Sequence, residues 1–181
     1  MEGGKPLMQA LKERQSIRIF GKDTLSMQTM SDLLWAAFGI NRPDSKKRTA
    51  PSARNAQEIE VYVALKQGLY LYDAPGSRLV LVLAQDIREL TGTQDYVKNA
   101  PVNLIFVANL TKSKTASEEE KILYPALDTG YISQNVYLFC ASEGLATVAR
   151  GLVNRTALAK KMGLRPDQKI ILAQSVGYPV Q

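Results

Sequence analysis

The sequence has no histidine, one cysteine and one tryptophan among its 181 residues. Without histidine there is no Ser-His-Asp triad, no HExxH zinc site and no Cys/His zinc finger. The lone cysteine, Cys140, excludes an intramolecular disulfide. It also suits a reducing compartment, so a cytoplasmic location is expected, with the mature form of an exported protein left open. No run approaches the ~18–20 apolar residues of a membrane span, and Met1-Glu2-Gly3-Gly4-Lys5 does not read as the start of a signal peptide. Internal repeats and linkers rich in Pro, Gly or Ser are missing too. Chemistry here has to come from other side chains, backbone amides or a bound cofactor.

What is present is ordinary for a folded chain: 45% hydrophobic and 22% charged residues. That balance predicts a single domain over residues 1–181 with one core. The formal net charge is +6. The densest basic runs, Lys46-Lys47-Arg48 and Lys160-Lys161, form no stripe with interleaved aromatics. They read as solvated surface charge, so neither a nucleic acid nor a membrane is an expected partner.

The apolar spacing predicts a short helix over residues 6–14, with Leu7, Ala10 and Leu11 on one face. A second helix follows an N-cap at Ser26 and stops at Gly39. Residues 40–57 read as a long polar loop. A hairpin pairs residues 60–65 with 69–72, and residues 78–84 read as a strand or as the approach to a helix near 86–90. Residues 93–100 read as a short helix ended by Pro101. Val102 to Ala108 is the clearest buried strand. Residues 112–121 read as a loop or a solvated helix start, and a long helix runs from Ala126 to Glu143 with Ile132, Val136, Phe139 and Cys140 inward. An extended stretch over 145–152, a helix capped by Asn154 and ended at Gly163, and a strand over 169–176 complete the chain. This mixture predicts an α+β or α/β fold with one sheet.

Three segments have chemistry to offer. In Arg14-Gln15-Ser16-Ile17-Arg18, extended backbone would turn Arg14, Ser16 and Arg18 to one side, where two guanidiniums and a hydroxyl suit a phosphate. An exposed basic strand is the plainer reading. In Pro51-Ser52-Ala53-Arg54-Asn55-Ala56-Gln57, the side-chain amides can read a heterocycle edge, or the segment is simply a capped turn. In Ser142-Glu143-Gly144-Leu145, Gly144 either closes the long helix or lets backbone approach a flat ligand with its N–H free.

In this order and spacing, the three segments resemble the nitroreductase family of flavin enzymes. Leu34-Trp35-Ala36-Ala37-Phe38-Gly39, Asp128-Thr129-Gly130, Gln134-Asn135 and Ser175-Val176-Gly177-Tyr178-Pro179 extend the resemblance over nearly the whole chain. The Leu-Leu-Trp-Ala-Ala segment and the Gly68–Tyr72 strand look most like a short branch related to azoline-oxidising dehydrogenase subunits. The resemblance implies an α+β, three-layer α/β/α sandwich around a mostly antiparallel sheet, assembled as a homodimer with FMN in the interface. It implies that Arg14, Gln15, Ser16 and Arg18 hold the FMN phosphate. Pro51, Ser52, Ala53, Asn55 and Gln57 would shape and bond the isoalloxazine edge, while Glu143 and Gly144 would lie over the ring. It implies ping-pong electron transfer from NAD(P)H through FMN to a nitroaromatic, a quinone or a similar small-molecule acceptor. A flavin-binding subunit or azoline-type dehydrogenase that needs a partner protein is the alternative.

Many relatives carry a further basic segment at the phosphate. The sequence given closes at Gln181, two residues past Pro179, and Arg150 is the expected substitute cation, with a surface salt bridge as its other reading. Tyr124 and Tyr131 line the pocket or pack in the core. Cys140 is expected to be a core thiol.

Overall fold

The computed structural model describes residues 3–115 and 117–180. The expectations touching Met1, Glu2 and Gln181, the leader reading and the closing segment, lie outside the described residues. Eight strands and four helices follow one another as α1 (Leu7–Glu13), α2 (Met27–Phe38), β1 (Ile40–Arg42), β2 (Lys47–Arg48), β3 (Ile59–Leu65), β4 (Gly68–Asp73), β5 (Arg78–Leu83), β6 (Val102–Asn109), α3 (Glu118–Glu143), β7 (Ala146–Arg150), α4 (Arg155–Met162) and β8 (Gln168–Gly177). Six strands make one sheet in the order β5-β4-β3-β6-β8-β7. Every neighbouring pair in it is antiparallel.

Period-2 alternation explains the layers. Val61 and Val63 of β3 face a core built with Leu33, Leu34, Ile132 and Val136 of α2 and α3. Tyr62 and Ala64 face a second core with Leu158 and Met162 of α4. The central strand β6 is buried at all eight positions, Asn103 and Asn109 included, as a strand covered on both faces is. The fold is therefore α+β with helices on both faces of an antiparallel sheet.

Local chemistry sets the boundaries. Ser26 caps α2 by accepting the Thr29 N–H, at 3.0 Å. Ser117 caps α3, and Glu118, Glu119 and Glu120 fill its first turn, where carboxylates suit the helix dipole. The helix thus starts before Pro125 and runs through it. Asn154 caps α4, and Gly163 ends it in the left-handed conformation at φ 67°.

Three local expectations change. Residues 93–100 form turns rather than a helix. The buried Asn103 amide donates to the Val97 carbonyl at 3.0 Å, a carbonyl that Pro101 has no N–H to satisfy, and Gly92 stays extended. The polar loop over 40–57 contains the small β1–β2 hairpin and a 3-10 turn at Ala53–Asn55. On α1 only Ala10 is buried, while Leu7 and Leu11 stand exposed with Met8.

Candidate functional site

The segment after α1 lies along the free edge of β7, where the Ile17 N–H donates to the Thr147 carbonyl at 2.9 Å. This contact fixes two of the predicted phosphate ligands against the end of α3. Ser16 Oγ lies 2.8 Å from Tyr137 Oη, and the Arg14 guanidinium stacks over the Tyr137 ring at 5.2 Å. The same phenolic oxygen accepts the Ala149 N–H at 2.9 Å. Tyr137 therefore joins the Arg14–Ser16 segment, α3 and β7. Sequence reasoning missed it, because its role exists only where these three elements meet. Arg18 is exposed and makes no hydrogen bond or ion pair among the described residues.

A cavity of about 420 Å³ opens beside this cluster, lined by Arg14, Gln15, Tyr137, Gly144 and Thr147 among others. Sequence-distant predictions thus meet in one place. Gly144 has φ 68°, a conformation that favours glycine. Its N–H, however, bonds the Cys140 carbonyl. The expectation of a free Gly144 amide is corrected: a left-handed helix end consumes that N–H. Glu143 is exposed and accepts from Ser142 Oγ at 3.0 Å. It borders a neighbouring cavity of about 610 Å³ with Trp35 and Asn135.

The Pro51–Gln57 loop is held by other means. Arg54, Asn55 and Gln57 all have positive φ, between 49° and 54°, which is uncommon for residues with a Cβ and marks a strained turn. The strain is held by several contacts. Ser52 Oγ accepts the Gln57 N–H at 2.9 Å, and Lys114 Nζ donates to the Arg54 and Asn55 carbonyls. Asp128 of α3 accepts the Ala53 N–H at 2.9 Å. Asn55 Oδ1 accepts from Gln57 Nε2 at 3.0 Å, so Asn55 presents its Nδ2 donors outward. Pro51 is exposed.

Beneath this loop lies Glu58, 2% exposed, with neither carboxyl oxygen partnered by a conventional donor. Burial pushes its pKa up to about 7, and the neighbouring Asp128 adds to the shift. A protonated Glu58 donates to Asp128 and so supplies the partner its oxygens otherwise lack.

Arg150 does not join the Arg14–Ser16 cluster. It is 3% exposed, and on β7 it shares a face with Val148 and Ala146, away from α3. Its guanidinium donates to Thr91 O and Asn103 Oδ1, both at 2.6 Å, and to Ser175 Oγ at 3.1 Å. Burial lowers its pKa to about 10, which leaves it charged at neutral pH. The expectation of a substitute phosphate cation is corrected to a buried strut between β7, β6 and the turn after β5; it is not a surface salt bridge either. Tyr124 packs under the Arg54 guanidinium at 5.7 Å, and Tyr131 is exposed. Cys140 is fully buried, and burial pushes its thiol pKa far up, so it is a core thiol. Among the described residues no cluster of metal-ligating side chains occurs, and no helix is long and apolar enough to cross a membrane.

Comparison with known proteins places the chain in a family and a fold. A protein of Methanocaldococcus jannaschii named as a nitroreductase, MJ1384, is 30% identical over 155 residues, 80% of this chain and 78% of that protein. The FMN reductase [NAD(P)H] of Bacillus subtilis is 24% identical over 159 residues, 81% of this chain and 54% of that protein. The crystal structure of a nitroreductase-like protein from Ralstonia eutropha superposes with a TM-score of 0.96 at 42% identity, covering 100% of this chain and 86% of that one. A structure from Desulfovibrio desulfuricans in complex with FMN shares the fold, with a TM-score of 0.70 at 22% identity over 98% of this chain and 88% of that one. Residues 11–178 match the profile described as the Nitroreductase family, and the chain belongs to that family.

Proposed function

We propose that this chain is an FMN-dependent oxidoreductase that passes electrons from NAD(P)H, in ping-pong fashion, to a nitroaromatic, a quinone or a similar small acceptor. The observation that carries the reading is the meeting of Arg14, Ser16 and Tyr137 beside the 420 Å³ cavity, in a chain of this family. The donor set fits a flavin mononucleotide. Arg14 and Arg18 bring permanent cations and Ser16 a hydroxyl, which together suit a phosphate dianion. Asn55 brings amide donors for a polar ring edge. Bound FMN would supply the two-electron chemistry that a chain without histidine or a reactive cysteine does not. The residues themselves bind, orient and exclude water. FMN is named for the Bacillus subtilis relative and present in the Desulfovibrio desulfuricans structure, which supports the cofactor.

A homodimer completes this site. Asp128 anchors the Asn55 loop and Tyr137 anchors the Arg14–Ser16 segment; the two anchors lie ~13 Å apart along α3 at 1.5 Å per residue. The flank of α3 exposes Ile122, Leu123, Leu127 and Tyr131, of which Leu123, Leu127 and Tyr131 recur at i, i+4 and i+8 and so share one helix face. A second copy packed on this stripe with two-fold symmetry would bring its Asn55 loop to the Arg14 of the first. The protein is proposed to work in the cytoplasm.

An absorption spectrum followed by anaerobic addition of NADH and of NADPH tests the reading. Flavin bands near ~450 nm that bleach on addition are the expected result. Flavin that stays oxidised would point to the partner-dependent subunit, and a chain that neither carries nor takes up FMN would overturn the proposal.

A further inference from the structure

A larger cavity lies elsewhere in the molecule. Its volume is about 790 Å³, and it sits between the start of α2, the β3–β4 turn, the faces of β4 and β5 and the entry to β6. That volume falls within the range of drug-sized ligand sites. None of Arg14, Ser16, Tyr137 or Gly144 lines it, and Trp35 is the wall it shares with the 610 Å³ cavity.

Its walls have two chemistries. Met30, Leu34, Leu65 and Leu79, with the rings of Tyr70 and Tyr72, form an apolar body. Met27, 81% exposed, stands at its side with a flexible thioether that adapts to irregular apolar shapes. The remaining walls carry Lys22, Lys66, Arg78 and Arg88 and, among the described residues, no carboxylate. Two of these cations are already matched: Arg78 pairs with Asp73 at 2.9 Å and Arg88 with Asp86 at 2.8 Å. Lys22 and Lys66 form no ion pair among the described residues. Asp86, whose pKa feels Lys66, is held chiefly by Arg88.

We infer that this cavity binds a small amphipathic organic anion, with a flat apolar body against Tyr70, Tyr72 and the α2 side chains and one anionic head at Lys22 and Lys66. Charge complementarity selects the class: a neutral aromatic leaves both ammonium groups unmatched, and a cation meets two unmatched like charges at Lys22 and Lys66. Apolar walls with a few convergent charges give affinity from the body and orientation from the head. The inference does not depend on the flavin reading, because the two sites share none of the proposed cofactor ligands.

The test uses anilinonaphthalene sulfonate, an apolar aromatic anion, with neutral N-phenylnaphthylamine as its uncharged counterpart. Purified protein is titrated in the presence of excess FMN. Binding is read by equilibrium dialysis of the probe, and because Trp35 lines both this cavity and the 610 Å³ one, the substitutions assign the probe to this cavity. The expected result is saturable binding at one probe per chain. It should weaken at least tenfold for the anion, and not for the neutral probe, in the doubly substituted Lys22→Glu, Lys66→Glu protein. Ser31→Tyr, at an exposed α2 position on the cavity wall, should weaken both probes while leaving the unfolding midpoint and FMN uptake unchanged. No anion binding, equal affinity for the two probes, or anion affinity insensitive to the charge reversal in protein that still unfolds cooperatively would overturn the inference.

Discussion

The two halves of α3 position neighbouring segments by opposite means. Toward its C-terminus the partners are a phenol, a hydroxyl, a guanidinium and backbone amides: Tyr137 meets Ser16, Arg14 and the Ala149 N–H. Toward its N-terminus they are carboxylates: Asp128 takes the Ala53 N–H, Glu120 meets Arg54, and Glu58 lies behind them. The first arrangement presents positive charge and hydrogen-bond donors. The second has a carboxyl with its pKa pushed into the neutral range. One helix therefore carries an anion-ready end and a loop-holding end whose buried carboxyl responds to pH.

The largest test of this division asks whether both halves serve one site across two chains. Leu127→Asp places a charge in the exposed apolar stripe of α3. It is expected to turn a dimer into monomers in sedimentation and to weaken FMN binding by ~1000-fold, about 4 kcal/mol, while the monomer stays folded because Leu127 is not a core residue. Full FMN affinity in a monomeric variant would place the whole site within one chain.

Next in size is the titration of Glu58. Its folded pKa, about 7, lies above the ordinary 4.5, so the native state holds its proton more tightly than the unfolded chain does. Stability from this group is complete below pH ~4.5 and is lost as pH rises through ~7, with an upper limit of ~3 kcal/mol. Denaturant unfolding between pH 4 and 8 measures it. Glu58→Gln keeps a donor for Asp128 without the titration; it should flatten this part of the curve and exceed the wild type at pH 8. A slope that persists in the variant would assign the proton to another group.

Arg18 tests the opposite end. Its guanidinium is exposed and free of partners among the described residues, so Arg18→Ala should leave the unfolding curve unchanged. Its FMN affinity should fall by about 1–3 kcal/mol, the range for a lost charge-assisted hydrogen bond. Unaltered flavin retention would remove Arg18 from the phosphate site and leave Arg14 and Ser16 as its ligands.

The sequence made these regions legible to different degrees. β6 was readable because a strand covered on both faces needs no polar alternation, and the ends of α2 and α4 because Ser26, Asn154 and Gly163 act on their own backbone. The phosphate segment was readable in part: spacing brought Arg14 and Ser16 to one place, while Tyr137 was invisible because it lies 121 residues from Ser16. The burial of Arg150 is legible in β7 alternation, which sets it beside Val148 and Ala146 on the inward face. The Gly144 N–H is not free because its own helix ending uses it, a bond that the glycine's place after a long helix makes legible. Leu7 and Leu11 of α1 have core spacing, yet they stand exposed; periodicity shows that a face is apolar and says nothing of whether its cover belongs to the same chain. Glu58 gave no signal, since burial beside Asp128 is a property of the assembled sheet and helix.

The smallest effect separates the two halves most cleanly. Tyr137→Phe keeps the ring beneath Arg14 and removes only the phenolic oxygen, which serves Ser16 Oγ and the Ala149 N–H. Two neutral, partly exposed hydrogen bonds of this kind contribute ~1 kcal/mol net, so the unfolding midpoint should fall modestly and by the same amount at pH 5 and pH 8. The wild-type slope from Glu58 should remain in this variant. Because its site and that of Glu58→Gln have no shared partner, the double variant should show the sum of the two changes to within ~0.5 kcal/mol. A larger interaction would mean that α3 transmits the protonation of Glu58 to the Arg14–Ser16 end, and the two halves would then be one coupled unit instead of two separate supports.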